Sequence, residues 1–254
     1  MDAKKLEILR KMGQPSDLWQ EERLVRALFY GDFGAGKTTL AAKIAQVIGG
    51  KVALITTDSA WTVMHNYPDL AKNVIRYPFD SFGQVKLMIE AHNEGIEPFG
   101  EIKTFIWDTI STSIDRVLRD LVKRKKFVNQ QVDPDIEGYP HYRMVANGLK
   151  EVVELFNKSD LNVIYTAHVK FPSENDRKNQ KFAIRPTANE MAYQVFGQEV
   201  QLIGWLSRES QSAQRKIQFK GTIAETAKSQ ISTIPENTYL VDQIPELIQQ
   251  WINN

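Results

Sequence analysis

Two rhythms of apolar and polar residues alternate along the chain. LVRALFYG (24–31), KVALITTD (51–58), VIRYPF (74–79), IKTFIWD (102–108) and LNVIYTAH (161–168) are compact apolar runs and predict buried strands. Between them, KTTLAAKIAQVIG (37–49) carries Leu40, Ala41, Ile44 and Ile48 at helical spacing and stops at Gly49 and Gly50. FGQVKLMIEAHNEG (82–95), a segment at about 111–125, MVANGLKEVVELF (144–156) and IPELIQQWI (244–252) predict further helices. QEVQLIGWLSRE (198–209) and QRKIQFKG (214–221) predict two late strands. Helix-length connections between apolar strands imply an α/β fold, with a mostly parallel sheet and helices on both faces.

At the N-terminus, Leu6, Ile8, Leu9 and Met12 fall at roughly helical spacing before Gly13 and Pro15 break the segment. This predicts a helical arm or cap over 1–18, packed on the core or on a neighbouring subunit, and a main domain over 19–254. The stretches 127–141 and 170–188 are polar and contain proline, and long loops of that kind are functional or disordered. No repeat or low-complexity tract interrupts the pattern.

Composition narrows the chemistry. The 254 residues are 42% hydrophobic and 25% charged, enough to bury a core without metal or disulfide staples. There is no cysteine, which excludes disulfides, thiolate zinc sites and thiol catalysis. A net charge of +1 gives no global basic field, so any nucleic-acid signal must be local. No apolar run approaches the ~20 residues that span a bilayer, and MDAKKLEILRKMGQ lacks the apolar stretch of a secretory signal. The expectation is a cytoplasmic protein with no membrane partner.

The strongest signal is GDFGAGKTT, from Gly31 through Asp32, Phe33, Gly34, Ala35, Gly36, Lys37 and Thr38 to Thr39. It matches G-x-x-x-x-G-K-[ST] and lies between an apolar strand and an amphipathic helix, the setting a phosphate-binding loop requires. The glycines let the backbone curl so that its N–H groups face phosphates. Lys37 would reach the β- and γ-phosphates and Thr38 would hold Mg²⁺. Such a site needs a carboxylate at the end of a neighbouring strand, and TFIWD supplies Asp108; the plainer alternative is a helix N-cap. Asp58, in LITTDSAW, is placed to orient an attacking water, or else forms a turn. His168, in IYTAH, is a candidate γ-phosphate sensor, with Thr166 a weaker one of the same kind; the alternative is a solvated strand end. NKSD (157–160) mimics a guanine-specificity motif but leads into a strand instead of following one, and Asp-Thr-Ile-Ser (108–111) lacks the matching Asp-x-x-Gly.

With these pieces in order, the chain resembles the RecA-like ATPases over about residues 24–240. It is most similar to the short phage-encoded members that act in single-strand annealing and recombination. The resemblance implies ATP and Mg²⁺ as cofactors and a homo-oligomeric ring or filament. Asp58 stands where this group places its catalytic Glu, Asp108 is the Walker B aspartate, and IYTAH matches the strand before the DNA-binding loop. VQLIGWLSRE (200–209) resembles a later core strand. AKSQ (227–230) resembles the A-K-x-R stretch that hexameric relatives insert into a neighbour's ATP site. Gln230 replaces the finger arginine, which leaves Lys228 as the cation of that motif.

Two basic stretches stand out, one ending the helix after Asp108 and one following His168. Lys123, Arg124, Lys125 and Lys126 run into Phe127, and Lys170, Arg177, Lys178, Lys181 and Arg185 interleave with Phe171 and Phe182. Cations neutralise phosphates while rings stack on bases, the pairing single-strand binders use. By composition alone they read as a solvated helix end and a polar loop; their placement after Asp108 and His168 favours single-stranded DNA as the partner. The expected function is an ATP-hydrolysing protein acting on single-stranded DNA in phage recombination, annealing or replication. The alternatives are a helicase, loader or packaging motor, or a protein-partner switch with little hydrolysis. A small-molecule kinase is disfavoured because no lid segment stands out.

Overall fold

Alternation within each strand sorts the core into two halves. In β1 (Arg26–Gly31), Leu28 and Tyr30 enter one buried cluster and Ala27 and Phe29 the other. The same parity holds in β2 (Lys51–Thr56), β4 (Ile102–Asp108) and β5 (Asn162–Lys170), where Ala53, Phe105 and Val163 face one side and Leu54, Ile106 and Ile164 the other. Both faces of each strand are therefore dry, and the strands read as near-continuous apolar runs.

The computed structural model describes residues 23–57, 59–124, 139–174, 184–187, 190–208, 214–221 and 227–254. The predicted arm over 1–18, Asp58, Lys125, Lys126, Arg177, Lys178, Lys181 and Phe182 lie outside them, as does the side chain of Arg124. Completing the sheet are β3 (Val74–Pro78), β6 (Arg185–Pro186), β7 (Leu202–Arg208), β8 (Arg215–Gln218), β9 (Lys228–Ser229) and β10 (Thr238–Leu240). Its order is β10-β8-β7-β1-β5-β4-β2-β3. The run from β7 to β3 is parallel throughout, and β8 and β10 add antiparallel strands at one end. The main strands are β1 to β5 and β7, and the predicted α/β architecture is borne out.

The helices are α1 (Lys37–Ile48), α2 (Pro68–Ala71), α3 (Phe82–Asn93), α4 (Ile110–Arg124), α5 (Tyr139–Asn157), α6 (Glu190–Glu199) and α7 (Ile244–Asn253). Residues of α3 to α6 pack into the cluster holding Leu28 and Trp107. Residues of α1, α2 and α7 pack into the one holding Phe29 and Ile106.

Three sequence expectations are corrected. The late strand expected from 198 begins at Leu202, because residues up to Glu199 belong to α6. The helix expected from 144 starts at Tyr139, with Pro140 in its first turn, where a missing N–H costs nothing. The stretch 170–188 is not all loop: Arg185 and Pro186 form β6 against Lys170 and Val169.

Polar ties lock the lower end of the sheet. Asn162 accepts from the Val25 N–H at 2.8 Å and donates to the Lys103 carbonyl at 3.0 Å, so one amide spans the entries to β1 and β4. Arg26 donates to the carbonyls of Asn157 and Ser159, both at 3.2 Å, and so caps the C-terminus of α5. His92, buried in α3, faces two acceptors: the Phe99 carbonyl at 2.9 Å and the Asp160 carboxylate at 2.6 Å.

The His92 hydrogen bond lowers the pKa of Asp160 from the ordinary carboxylate value, against a smaller opposing effect of burial. A depressed carboxylate stabilises the fold fully above its unfolded value of ~4 and loses that contribution as pH falls through its folded value. Denaturant unfolding of wild type should therefore weaken more steeply below pH 4 than that of Asp160→Asn. Parallel pH profiles for the two proteins would contradict the tie.

Candidate nucleotide site

Gly31 ends β1 in register with His168 of β5 on one side and Leu206 of β7 on the other. A Cβ there would lie 2.4 Å from the Leu206 carbonyl oxygen, so only glycine lets the loop leave the sheet at this point. Gly34 (φ +71°) and Gly36 (φ +96°) take left-handed conformations that side chains rarely adopt. Within the loop the Asp32 carboxylate accepts from the Phe33 N–H at 2.8 Å, and the Ala35 N–H donates to the Asp32 carbonyl at 3.2 Å. The loop delivers the chain to α1, whose N-terminus has no side-chain cap and no acid in its first turn. An uncapped helix N-terminus of this kind favours an anion, as the motif requires.

Lys37 is buried and its ammonium folds back over the loop, donating to the carbonyls of Gly31 at 3.0 Å and Asp32 at 2.9 Å. The next residue reaches the sheet: the Thr38 hydroxyl donates to the Asp108 carboxylate at 2.8 Å. Asp108 is fully buried at the end of β4, and its other oxygen accepts from the Thr166 hydroxyl of β5. The pair singled out for metal is thus together. A hydroxyl and a carboxylate oxygen at the phosphate loop fit Mg²⁺, which takes oxygen ligands and draws most of its shell from water and phosphates. Among the described residues no cluster of three or more His, Cys, Asp or Glu side chains forms an all-protein cage. When bound, the ion would neutralise charge on the terminal phosphates, held by Thr38 and Asp108.

His168 stands at the same end of the sheet. Its backbone N–H donates to Ser111 Oγ at 3.0 Å, its carbonyl accepts from the Thr187 N–H at 2.6 Å, and its ring lies 4.5 Å from that of Phe33. Phe33 is 81% exposed. Lys37, Thr38, Thr39, Asp108 and His168 line one cleft of about 270 Å³.

Lys228 is elsewhere. It pairs with Ile203 in the β7–β9 ladder, whereas the loop begins at the level of Leu206, and its ammonium donates to the Gly197 carbonyl at 2.8 Å. Burial lowers its pKa, with Glu199 acting the other way. Of the basic candidates, Lys170 and Arg185 face each other across the β5–β6 ladder, and Lys123 is exposed near the end of α4. Sequence reasoning missed Val63, Thr109 and Arg215, which also line the cleft. Arg215 lay inside a predicted strand, and nothing local in QRKIQFKG signals that β8 begins beside the loop.

Lys37→Ala should abolish nucleotide hydrolysis and weaken nucleotide binding; near-normal turnover would remove the loop from the chemistry. Asp108→Asn should lower turnover ~10–100-fold, the worth of hydrogen bonds to a charged group, and blunt its dependence on Mg²⁺. Thr166→Val strips a buried carboxylate oxygen of its donor and should cost ~1–3 kcal/mol of stability in denaturant unfolding. An unchanged midpoint would show that Asp108 does not depend on Thr166.

Three comparisons with known proteins bear on this geometry. A search of curated proteins finds no significant match. Among solved structures, the crystal structure of the RadB recombinase aligns with a TM-score of 0.47 at 17% identity, over 76% of this chain and 79% of that one. The flagellar accessory protein FlaH from Methanocaldococcus jannaschii aligns with a TM-score of 0.42 at 13% identity, over 92% and 94%. The profile of the family described as AAA domain (AAA_24) matches residues 23–231, which include the phosphate loop, Asp108 and His168. With that match over most of its length, the chain belongs to the AAA domain family, as a nucleotide-binding P-loop protein.

Proposed function

We propose that the protein is a RecA-like ATPase that binds ATP and Mg²⁺ at the Gly31–Thr39 loop, hydrolyses ATP, and acts on single-stranded DNA in recombination, annealing or replication. The resemblance to short phage-encoded ATPases adds the phage setting and a ring or filament of identical subunits. In this reading Asp58 orients the attacking water, and Lys228 serves a neighbouring subunit's site once the assembly frees it from Gly197.

One observation carries the DNA reading. Successive side chains of a strand alternate between faces, so Thr166, His168 and Lys170 share one face of β5. Thr166 holds Asp108, the His168 ring packs tilted against Phe33 of the phosphate loop, and Lys170 stands opposite Arg185. Like charges placed directly opposite in a ladder repel, and a phosphate backbone would relieve that repulsion. Phe171, 54% exposed, follows immediately and offers a ring for base stacking. Nucleotide contact and DNA contact then sit on one strand, with Lys170 four residues beyond Thr166.

The test is single-strand affinity, measured with and without a non-hydrolysable ATP analogue. Wild type should bind more tightly with the analogue, and its affinity should fall steeply with salt. Replacing Lys170 and Arg185 together with Ala should weaken binding for all sequences alike and flatten the salt slope, because phosphate contacts carry no base information. Phe171→Ala should cost ~1–3 kcal/mol of affinity. Binding at low salt no better than that of an unrelated neutral protein would remove the DNA role and leave the protein-partner switch.

A further inference from the structure

Arg215 is the first residue of β8 and faces Arg208 across the β7–β8 ladder. Though exposed at the sheet, it turns its guanidinium onto the phosphate loop. A Cβ built at Gly36 would meet Arg215 Nη1 at 2.9 Å and Cδ at 3.0 Å. Gly36 therefore does two things at once: it takes a left-handed φ of +96° and leaves the space that the arginine fills. Arg215 lines the same cleft as Lys37 and Thr38. Among the described residues no carboxylate pairs with it, in contrast to Lys43, Lys51 and Lys86, whose ammonium groups each meet one. A guanidinium against the phosphate loop, with no carboxylate partner among the described residues, is placed for a ligand that carries the missing charge.

We propose that Arg215 is a nucleotide-binding residue of this site, contacting from the same subunit the phosphate held at the N-terminus of α1. The inference rests on the loop being a nucleotide site and deepens that reading. The guanidinium fork matches two phosphate oxygens at once, which an ammonium cannot do. Its position over Gly36, the cap of α1, assigns it to the phosphate seated at that helix end, which ADP and ATP both carry. Thr38 follows in the first turn of the same helix and ties it to Asp108. The loop thereby gains a second cation in cis. Lys228 supplies none within the subunit, because its ammonium is committed to the Gly197 carbonyl, and Gln230 carries no charge.

Calorimetric titration of the full chain with Mg·ADP and with a non-hydrolysable Mg·ATP analogue tests this. Arg215→Ala should weaken both ligands by ~10–100-fold, the range for a hydrogen bond to a charged group. Arg215→Lys should recover part of the loss, since charge is kept and the fork is not. Arg208→Ala, on the facing strand, should bind both ligands as wild type does. Melting temperatures of the variants confirm that each is folded. If Arg215→Ala binds both ligands normally while Lys37→Ala does not, the site stands and this assignment falls. A loss confined to the ATP analogue would put the guanidinium on the γ-phosphate and overturn the placement at α1. If wild type binds neither ligand, the nucleotide reading itself fails.

Discussion

The structure turns on a single buried carboxylate. Asp108 has no solvent exposure, and a charge in that position must be hydrogen-bonded or it neutralises. Its two oxygens are met by Thr38 from the first turn of α1 and Thr166 from the middle of β5. These hydroxyls fix where α1 begins relative to β4, and so where the phosphate loop closes. Lys37 adds a second restraint from within, its ammonium spanning the carbonyls of Gly31 and Asp32. The loop is therefore held by hydrogen bonds within the chain, and preorganised sites of this kind are what phosphoryl transfer relies on.

From Asp108 the constraint passes along β5. That strand lies between β1 and β4, so it cannot shift without disturbing both the loop strand and the carboxylate strand. At its upper end it leaves the main sheet and pairs with β6 alone. The lower half of β5 is thus locked by two ladders and the upper part by one short one. A ligand that moves the Phe33–His168 ring pair acts where that change in restraint occurs. On the other side of β1, β8, which lies beyond β7, brings Arg215 over Gly36, so side chains reach the cleft from both sides of the loop strand.

How much of this the sequence carried depends on distance along the chain. The phosphate loop is a local object, and its strand, glycines and helix are contiguous, so its residues were all legible. Asp108 was legible too, as an acid at the end of an apolar run. Thr166 was read only as a weak sensor candidate, because its partner lies 58 positions away in sequence. Arg215 was invisible for the same reason: an arginine in a strand with polar neighbours carries no local mark of the hairpin that aims it. The start of α5 was misplaced because Pro140 reads as a breaker, although a first-turn proline is compatible with a helix. The end of α6 was read as strand because Val200 and Leu202 extend an apolar run backwards across Glu199.

The central claim is that nucleotide chemistry at the loop and DNA at the far end of β5 are joined through one strand. Steady-state ATP hydrolysis, measured with and without single-stranded DNA, tests it most directly. The account predicts that DNA raises the rate in wild type, and that replacing His168 with Ala leaves DNA binding intact while removing the stimulation. ATP hydrolysis that proceeds at the same rate whether or not DNA is bound would contradict it.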